Sequence, residues 1–408
     1  MQQNTKKKIK ILAGMFLFLL LAGVSHTADT AQAAKVYNNG GEIVETGGRI
    51  YFSQYGKGKQ KGIFSFDLKT KKKKKIVSGK YESVWIAGNS LYYTRDKELY
   101  RKGLRAGGEE SVYQHSSDID ILGFANKNSE IQIFDGKGVY QRTLSGEQKS
   151  FRSLSDKEDI GRAGKLGEYM IFEKGKDIIY GTSPEELQTL SGVMKKIAKK
   201  SGLAPDWYNF MGVYGDYLYG YIYAQPGTIG WRIGYLFRVS LKNGDVKVYK
   251  KYESHWEAWE MRDGRIYTDD YSAEGKWAKT HVFTLDKTTG AVKHNTYPCS
   301  FNGTDGRYIY QAGSSAICRY DPKTKKQKVL DARYEKKKNM YYAPQSTGAS
   351  TYLPVINGKL FYAVYDCRKE KYVGWRLMPD RLEKNYIVLK TGKRVTYATT
   401  KMTKYGGW

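Results

Sequence analysis

The residues with the clearest potential for acid–base chemistry lie close together in the sequence. The segment SHWEAWE, residues 254–260, contains His255 and Glu257, and Asp269 and Asp270 follow it. In an extended strand His255 and Glu257 point to the same side, because successive side chains alternate between the two faces. An imidazole and carboxylates facing one cavity could act as general acid and base, as in an extracellular carbohydrate-active hydrolase or lyase. A polar lining without catalytic function explains the same residues, and we favour that interpretation.

The turn DKTTG, from Asp286 to Gly290, is the second stretch that could do chemistry. As a cofactor dock it would resemble the repeats of quinoprotein dehydrogenases, in which a related turn recurs around a propeller. As a connection between strands, its aspartate accepts backbone hydrogen bonds and its glycine adopts a left-handed conformation. Degraded copies recur at residues 66–73, 240–245, 320–327 and 388–393, and the Trp that commonly follows in quinoprotein repeats is replaced by His294 or by Lys, Val and Ile. We therefore predict a connection between strands and no cofactor.

Long loops supply the third kind of candidate, a set of aromatic residues suited to binding. Their flat, amphipathic rings beside Lys and Arg can stack on a sugar or on a peptide side chain. The candidates are Trp207, Tyr208, Trp231, Trp277, Tyr341 and Tyr342. Trp231 and Trp277 occupy equivalent loops of adjacent repeats, so we predict that they form one platform flanked by Trp207 and Tyr208. The alternative is that loop aromatics cover the edges of sheets.

A repeat predicts the elements that must position these residues. A pair of small turn residues, followed by an alternating apolar and aromatic strand, occurs eight times. Gly-Asn, Asp-Gly and Asn-Gly pairs between such strands favour tight hairpins, and about forty residues per copy accommodate four short strands. The aligned apolar residues of the copies are Ile50, Leu91, Ile131, Met170, Leu218, Ile266, Ile309 and Leu360.

This pattern predicts an all-β fold, a single β-propeller of eight four-stranded blades over residues 36–397. The third and fourth copies, within residues 119–206, lose their Tyr and Gly, which leaves seven blades as the alternative. In an antiparallel blade the first-to-second and third-to-fourth connections share one face of the ring, and the remaining connections share the other. The first group is short and the second is long, so we expect binding at the long-loop face.

Several strings in the repeats resemble those of a known family. GGRIYF from Gly47, GNSLYYTRDKELYRKGLRAGGEE from Gly88 and DGRIYTDD from Asp263 resemble the Tyr-rich propeller repeats of proteins exported by Gram-positive bacteria. That family includes domains of unknown function and lipoprotein-receptor-related-protein-like β-propeller domains. The resemblance covers nearly the whole chain after its amino-terminal segment and implies a β-propeller fold, but it implies no activity.

The segment VMKKIAKK, residues 193–200, differs from the strands around it. Val193 and Ile197 are four residues apart among lysines, a spacing that predicts a short basic helix within an insertion near residues 191–204. Two turns are too short for membrane insertion, so we expect this helix to cap a loop.

The amino terminus has the pattern of a secretory signal peptide. A basic segment precedes an apolar run at residues 11–24, and Ala31 and Ala33 provide a small-x-small cleavage pattern. We predict cleavage after Ala33, which makes residues 1–33 the signal peptide and residues 34–408 the propeller domain; an uncleaved anchor is the alternative. We expect a secreted protein without a transmembrane span after cleavage, and we also expect retention at the cell wall.

The formal charge of +28 indicates a polyanionic partner. Outside the cell, wall teichoic acids, anionic lipid headgroups and acidic polysaccharides are candidates, and nucleic acid is not. The alternative is that the lysines form a solvated surface, with residues 71–75 in a hairpin turn. We therefore expect a monomeric, non-catalytic binding module that recognises a cell-surface polyanion, glycan or protein through its long-loop face, without a bound metal.

The three cysteines, Cys299, Cys318 and Cys367, lie in the last third of the chain. This small, odd number excludes a disulfide framework but permits one bridge in an oxidising exterior. A chain of this length buries enough apolar surface to fold without a bridge.

Overall fold

A computed structural model describes residues 35–401 of the 408-residue chain, apart from residues 55–57, 82, 96, 105–106, 155–159, 204–206, 225–232, 255–258, 271–278, 314, 335–338, 344, 348–349, 370 and 374–375. Eight antiparallel blades follow one another in the described part and form a ring, which confirms the predicted eight-bladed propeller. In blades 1 to 7 each strand pairs with the next one along the chain. Each of these blades is therefore a meander, with the first strand innermost and the fourth outermost.

The strands of blades 1 and 2 are β1 (Ile43–Thr46), β2 (Arg49–Gln54), β3 (Gly62–Asp67), β4 (Lys73–Ser78), β5 (Trp85–Ala87), β6 (Ser90–Arg95), β7 (Glu98–Gly103) and β8 (Glu109–Gln114). Those of blades 3 and 4 are β9 (Asp120–Ala125), β10 (Glu130–Phe134), β11 (Gly138–Thr143), β12 (Gln148–Ser153), β13 (Ile160–Leu166), β14 (Tyr169–Lys174), β15 (Asp177–Gly181) and β16 (Gln188–Leu190). Those of blades 5 and 6 are β17 (Trp207–Tyr214), β18 (Tyr217–Ala224), β19 (Ile233–Ser240), β20 (Val246–Ser254), β21 (Trp259–Arg262), β22 (Arg265–Asp270), β23 (Lys279–Leu285) and β24 (Val292–Tyr297). Blade 7 consists of β25 (Gly303–Thr304), β26 (Ile309–Ala312), β27 (Ile317–Asp321) and β28 (Lys326–Asp331). Short 3-10 turns occur at Gly58–Gln60 and Asn126–Asn128.

Blade 8 departs from this plan at its inner edge. Its strands are β29 (Met340–Ala343), β32 (Val355–Ile356), β33 (Lys359–Asp366), β36 (Arg381–Val388) and β37 (Lys393–Lys401). Strands β29 and β32 pair with opposite ends of β33, so together they form one interrupted innermost strand. Two hairpins extend from this blade, formed by β30 (Gln345–Thr347) with β31 (Ser350–Tyr352), and by β34 (Lys371–Val373) with β35 (Arg376–Met378).

The second strand of every blade carries the apolar residue on which the eight sequence copies align. All eight residues are 0% exposed: Ile50, Leu91, Ile131, Met170, Leu218, Ile266, Ile309 and Leu360. They pack in clusters that join neighbouring blades, such as the one containing Leu218 of blade 5 and Ile171 of blade 4. Since a single blade cannot cover its own apolar face, each blade depends on its neighbours for stability.

The turns between the first and second strands explain why the weaker sequence copies still form blades. In blade 6, Asp263 and Gly264 adopt φ angles of +49° and +67°. Blade 3 has no glycine at this point, and Lys127 and Asn128 adopt φ angles of +56° and +67° instead. Asn enters the left-handed region more readily than most residues, so the reversal is retained. Blades 3 and 4 are both complete, and the seven-bladed alternative is wrong.

Among the described residues there is one α-helix, α1 (Val193–Ser201), in the link between blades 4 and 5. Val193, Met194 and Ile197 are buried in the cluster that joins these two blades, while the lysines between them face outward. The helix ends at Gly202, whose φ of +73° lets its N–H donate to the Ala198 carbonyl at 3.0 Å. The helix therefore covers a blade edge with its apolar side.

Blades 1 and 8 meet and close the ring. Lys384 Nζ lies 2.9 Å from Glu42 Oε1, and Lys359 Nζ lies 2.8 Å from Glu45 Oε1. Lys384, Glu42 and Glu45 are buried. Aromatic residues of both blades pack in the same interface: Phe52, Phe64, Phe66, Phe361, Tyr386 and Tyr397. Each blade comes from one continuous segment of the chain, so side-chain packing closes the ring and no described strand is exchanged between its two ends.

The cysteines take no part in the framework. Cys299, Cys318 and Cys367 are buried, and none of them forms a disulfide. Burial raises the pKa of the Cys299 thiol to about 11, so this thiol stays protonated at neutral pH. In the described part of the chain, no helix combines the length and the apolar content needed to cross a bilayer.

Candidate functional site

The DKTTG turn connects β23 to β24. Asp286 Oδ1 accepts hydrogen bonds from the backbone N–H groups of Thr288 at 3.0 Å and Thr289 at 2.7 Å. The bond from Thr289 is the main reason that the pKa of Asp286 is lowered from its ordinary value. Gly290, with a φ of +62°, donates its N–H to the Asp286 carbonyl at 2.9 Å. These contacts confirm the prediction of a connection between strands.

Five blades share this connection between their third and fourth strands. In each, one residue has a φ between +56° and +69° and donates its N–H to the carbonyl four residues earlier. These residues are Lys71, Gly244, Gly290, Lys325 and Gly392. The connection ends where the outermost strand begins, and the lysines of the degraded copies thus lie at the rim of the short-turn face.

Exposed lysines occur in these turns and outermost strands on blades 5, 6, 7, 8 and 1, and most of them lie on blades 7, 8 and 1. Blade 8 packs against both of the others, so the three are neighbours in the ring. We call the following side chains the basic arc: Lys69, Lys72, Lys74, Lys323, Lys325, Lys326, Lys328, Lys390 and Lys393. All of them are exposed, and within the described part of the chain no ion pair involves any of them.

Acidic residues occupy the corresponding positions on the other side of the ring. The third-to-fourth turns and outermost strands of blades 2, 3 and 4 carry five exposed glutamates, Glu109, Glu110, Glu147, Glu185 and Glu186, beside two exposed basic residues, Lys149 and Arg152. Charges on an outermost strand prevent it from pairing with the sheet edge of another molecule. Since either sign serves that purpose, edge protection explains why these strands are charged but not why lysines are collected on one side.

Two arginines near the basic arc share one buried carboxylate. Asp331, between blades 7 and 8, is 0% exposed and accepts hydrogen bonds from Tyr362 Oη at 2.6 Å, Tyr342 Oη at 2.9 Å and Arg333 Nη2 at 2.9 Å. Burial opposes its ionisation, but the hydrogen bonds from Arg333 and Tyr362 prevail and lower the pKa of Asp331. Arg394 Nε also lies 3.5 Å from this carboxylate. The lysines of the arc have no such partner among the described residues.

Three of the aromatic candidates have described side chains. Tyr208 is half-buried and donates its hydroxyl to the Met194 carbonyl at 3.2 Å. Tyr341 is half-buried and donates to Asn339 Oδ1 at 3.2 Å. Tyr342 is buried beside Asp331. Tyr208 lies in β17 of blade 5, far along the chain from the other two, which both belong to β29 of blade 8.

The other three aromatic candidates have no described side chain. Trp207 begins β17, and its side chain lies outside the described part. Trp231 and Trp277 lie outside the described residues. The platform of Trp231 and Trp277 therefore stays a prediction.

Two of the four acid–base candidates belong to a described strand of blade 6. His255 and Glu257 are outside the described residues, and Asp269 and Asp270 lie in β22 with side chains outside the described part. The innermost strand of blade 6 is β21, so the strand predicted at residues 254–260 was placed too early, and Ser254 instead ends β20 of blade 5. Residues 249–260 contain no Gly or Pro, so the sequence did not mark where one blade ends and the next begins.

Glu260 of β21, the last residue of the SHWEAWE segment, was not among the acid–base candidates predicted from the sequence. Its Oε1 lies 3.2 Å from Arg262 Nε, and its Oε2 accepts a hydrogen bond from the Thr304 backbone at 3.2 Å. Burial raises the pKa of Glu260 to about 7, against the opposing effect of Arg262. Arg262 also donates to the carbonyls of Thr304 and Val355, so it links the innermost strands of blades 6, 7 and 8. The spacing of Glu260 and Arg262, two residues apart in one strand, was the sequence signal that could have identified this ion pair.

No protein-family model and no curated protein matches the chain. Similar solved structures include the uncharacterized protein lmo1340 from Listeria monocytogenes EGD-e, with 10% identity over 78% of this chain and 92% of that chain, and a TM-score of 0.41. The β-propeller domain of the Trilobed protease from Pyrococcus furiosus has 11% identity over 90% of this chain and 98% of that chain, and a TM-score of 0.43. A puromycin-hydrolyzing peptidase from Mycobacterium tuberculosis has 9% identity over 89% of this chain and 53% of that chain, and a TM-score of 0.46. These similarities concern the fold alone.

Proposed function

We propose that this chain is a secreted, non-catalytic propeller that binds an extracellular polyanion through the basic arc. The observation that supports this function is the uneven distribution of charge around the ring. Most exposed lysines of the third-to-fourth turns and outermost strands lie on blades 7, 8 and 1, whereas the exposed glutamates of these elements lie on blades 2, 3 and 4. Neither edge protection nor solubility requires this distribution, because both are served by mixed charges. A partner with repeated negative charges would explain it.

The spacing of the lysines suits a polymer more than a single ion. Lys326 and Lys328 lie on one side of β28, about 7 Å apart along the strand. Like charges this close repel each other, and no carboxylate of the described residues pairs with either of them. A polymer with regularly spaced anionic groups contacts several such lysines at once, so weak individual contacts add to a useful affinity.

The basic arc lies at the rim of the short-turn face, whereas the sequence analysis favours the long-loop face for binding. The two surfaces do not exclude each other, since they lie at opposite ends of the strands. The arc is our proposed contact for the charged part of the ligand. A neutral glycan or a protein at the aromatic candidates of the long-loop face stays a separate prediction.

Charge reversal in the arc tests the function. The variant Lys323→Glu/Lys326→Glu/Lys390→Glu/Lys393→Glu is compared with wild type for retention on immobilised poly(glycerol phosphate) at increasing NaCl concentration. We expect wild-type retention to fall steeply with salt, because exposed charges are screened within about 10 Å at 0.1 M. The variant should elute at a much lower salt concentration than wild type.

A second quadruple variant controls for net charge. Lys137→Glu, Lys195→Glu, Lys196→Glu and Lys247→Glu change the same number of exposed lysines outside the arc. If this control elutes with the arc variant, retention depends on total charge and the arc is not the contact surface. Wild-type retention that ignores salt would contradict the electrostatic basis of the function.

A further inference from the structure

A groove of about 330 Å³ lies between the outermost strand of blade 1 and the β7–β8 turn of blade 2. Its walls are formed by Lys74, Lys75, Ile76, Lys102, Gly103, Leu104 and Gly107, which we call the lysine groove. The first three belong to β4, and the other four lie at the end of β7 and in the turn that follows. The groove continues the basic arc toward blade 2 and has a volume within the range of about 300–1,000 Å³ that is usual for small-ligand sites.

A β-bulge shapes the wall that blade 1 contributes. Phe64 pairs with Lys75 and Ile63 pairs with Val77, so Ile76 has no partner on β3. A bulge of this kind bends the edge strand and redirects its side chains. It brings Lys74, Lys75 and Ile76, three consecutive residues, into the lining of one groove.

The acidic residues nearest the groove are paired elsewhere. Lys102 is opposite Glu109 in the sheet, but Glu109 Oε1 lies 2.5 Å from Arg95 Nη2. Glu110 Oε1 likewise lies 2.5 Å from Arg101 Nη2. Arginines of blade 2 thus reduce the negative field beside the groove. Lys102 forms no ion pair within the described part of the chain, but its charge contributes to the lowered pKa of Glu109.

The residues that line the groove combine three lysines with apolar Ile76 and Leu104. Lys75 Nζ contacts Ser78 Oγ at 3.3 Å, and the other two lysines have no described side-chain partner. Compact lysine charges suit a phosphate, whereas planar bidentate recognition of a carboxylate is a property of arginine. Ile76 and Leu104 offer apolar contact to the carbon atoms of a short polyol.

We infer that the lysine groove binds one phosphate-polyol unit of a phosphodiester-linked polymer. This inference rests on the proposed function and specifies the chemistry of its ligand. The phosphate contacts Lys74, Lys75 and Lys102, the polyol lies on Ile76 and Leu104, and the rest of the polymer continues along the basic arc.

Calorimetric titration of the full chain with glycerol 3-phosphate tests the groove. Lys74→Ala/Lys102→Ala should weaken binding by about tenfold or more, because the variant loses two charge-assisted bonds to the phosphate. The matched control Lys69→Ala/Lys72→Ala removes two lysines of the arc outside the groove and should leave this affinity unchanged. Equal losses in both variants would show general electrostatic attraction and overturn the inference.

Two further titrants separate the explanations. Inorganic phosphate should bind more weakly than glycerol 3-phosphate, because it has no carbon atoms to contact Ile76 and Leu104; equal affinity would assign the groove to a free anion and overturn the inference. Poly(glycerol phosphate) tests the proposed function separately. If wild type binds the polymer but not glycerol 3-phosphate, the proposed function is supported and the groove is not the binding site. If wild type does not bind the polymer, the proposed function is wrong.

Discussion

Single residues at the blade junctions differ in how their charge is stabilised. Asp331 is fully buried and stays ionised because an arginine and two tyrosines donate hydrogen bonds to it. Glu260 has only Arg262 and one backbone N–H as described partners for its ionised form, and burial dominates. The number of donors therefore decides which carboxylate resists protonation near neutral pH.

We predict that Glu260 makes stability fall as pH rises toward neutrality. Its pKa is raised from 4.5 to about 7 in the folded protein, so the folded state binds more protons than the unfolded state between these values. The stabilising contribution is complete below pH 4.5 and is lost as the pH rises through 7, a change on the order of 3 kcal/mol. Glu260→Gln should remove this part of the slope in denaturant unfolding measured from pH 5 to 8.

The charges around Glu260 make this test specific. Arg262 favours its ionised form, while Asp263 and Asp305 oppose it. The Gln variant keeps an oxygen that can accept the Thr304 N–H. An identical pH slope in wild type and variant would contradict the prediction.

At the scale of elements, the third-to-fourth turn also joins neighbouring blades. Tyr217 Oη of blade 5 donates to the Thr288 carbonyl at 3.2 Å, and Arg238 of the same blade donates to the Thr289 carbonyl. Tyr249 Oη donates to the Gly290 carbonyl at 3.3 Å. Blade 5 thus holds the DKTTG turn of blade 6 in place. The corresponding turn of blade 8 has no such contact at Gly392 among the described residues, and the space beside this glycine is open.

We predict that Gly290→Ala destabilises the protein more than Gly392→Ala. Both glycines have positive φ, +62° and +69°, so both substitutions carry a backbone cost of about 1 kcal/mol. An added Cβ at Gly290 would also overlap Arg238 and lie 2.9 Å from the ring of Tyr217, whereas one at Gly392 meets nothing within 4 Å. Thermal unfolding of the two variants checks the difference, and equal shifts in Tm would refute the role of the contact.

The sequence predicted these elements well where turn chemistry marked them. The eight aligned apolar residues and the third-to-fourth turns were found because small residues and an Asp-x-x-Thr-Gly pattern recur. The start of β21 was misplaced because no turn residue separates it from β20. The basic arc could not be predicted, since its lysines in blades 7 and 8 are brought next to those of blade 1 only by closure of the ring.

At the scale of the whole molecule, the contact between blades 1 and 8 decides whether the ring stays closed. It joins the two ends of the chain without a shared strand, so its strength comes from the aromatic cluster and two ion pairs. Lys384 is 5% exposed and also donates to the Ser53 carbonyl at 3.1 Å. Removing one member of such a buried pair leaves an uncompensated charge.

We predict that Lys384→Met lowers the free energy of unfolding by about 3–5 kcal/mol, because Glu42 is left buried without its partner. The double variant Lys384→Met/Glu42→Gln should recover part of this loss, since it removes both charges. Denaturant unfolding of both variants and wild type measures the effect. A loss in the single variant below 1 kcal/mol, the value typical of an exposed pair, would mean that this contact does not hold the ring.

The separation of lysines and glutamates around the ring gives this disk a permanent electric dipole in its own plane. A negatively charged surface attracts one side of the rim and repels the other, so the bound disk should stand upright like a coin on its edge. Neutron reflectometry on an anionic bilayer should then measure a protein layer as thick as the diameter of the disk. A layer only as thick as the height of the disk would contradict this orientation. An upright disk leaves both of its flat sides accessible to a second molecule.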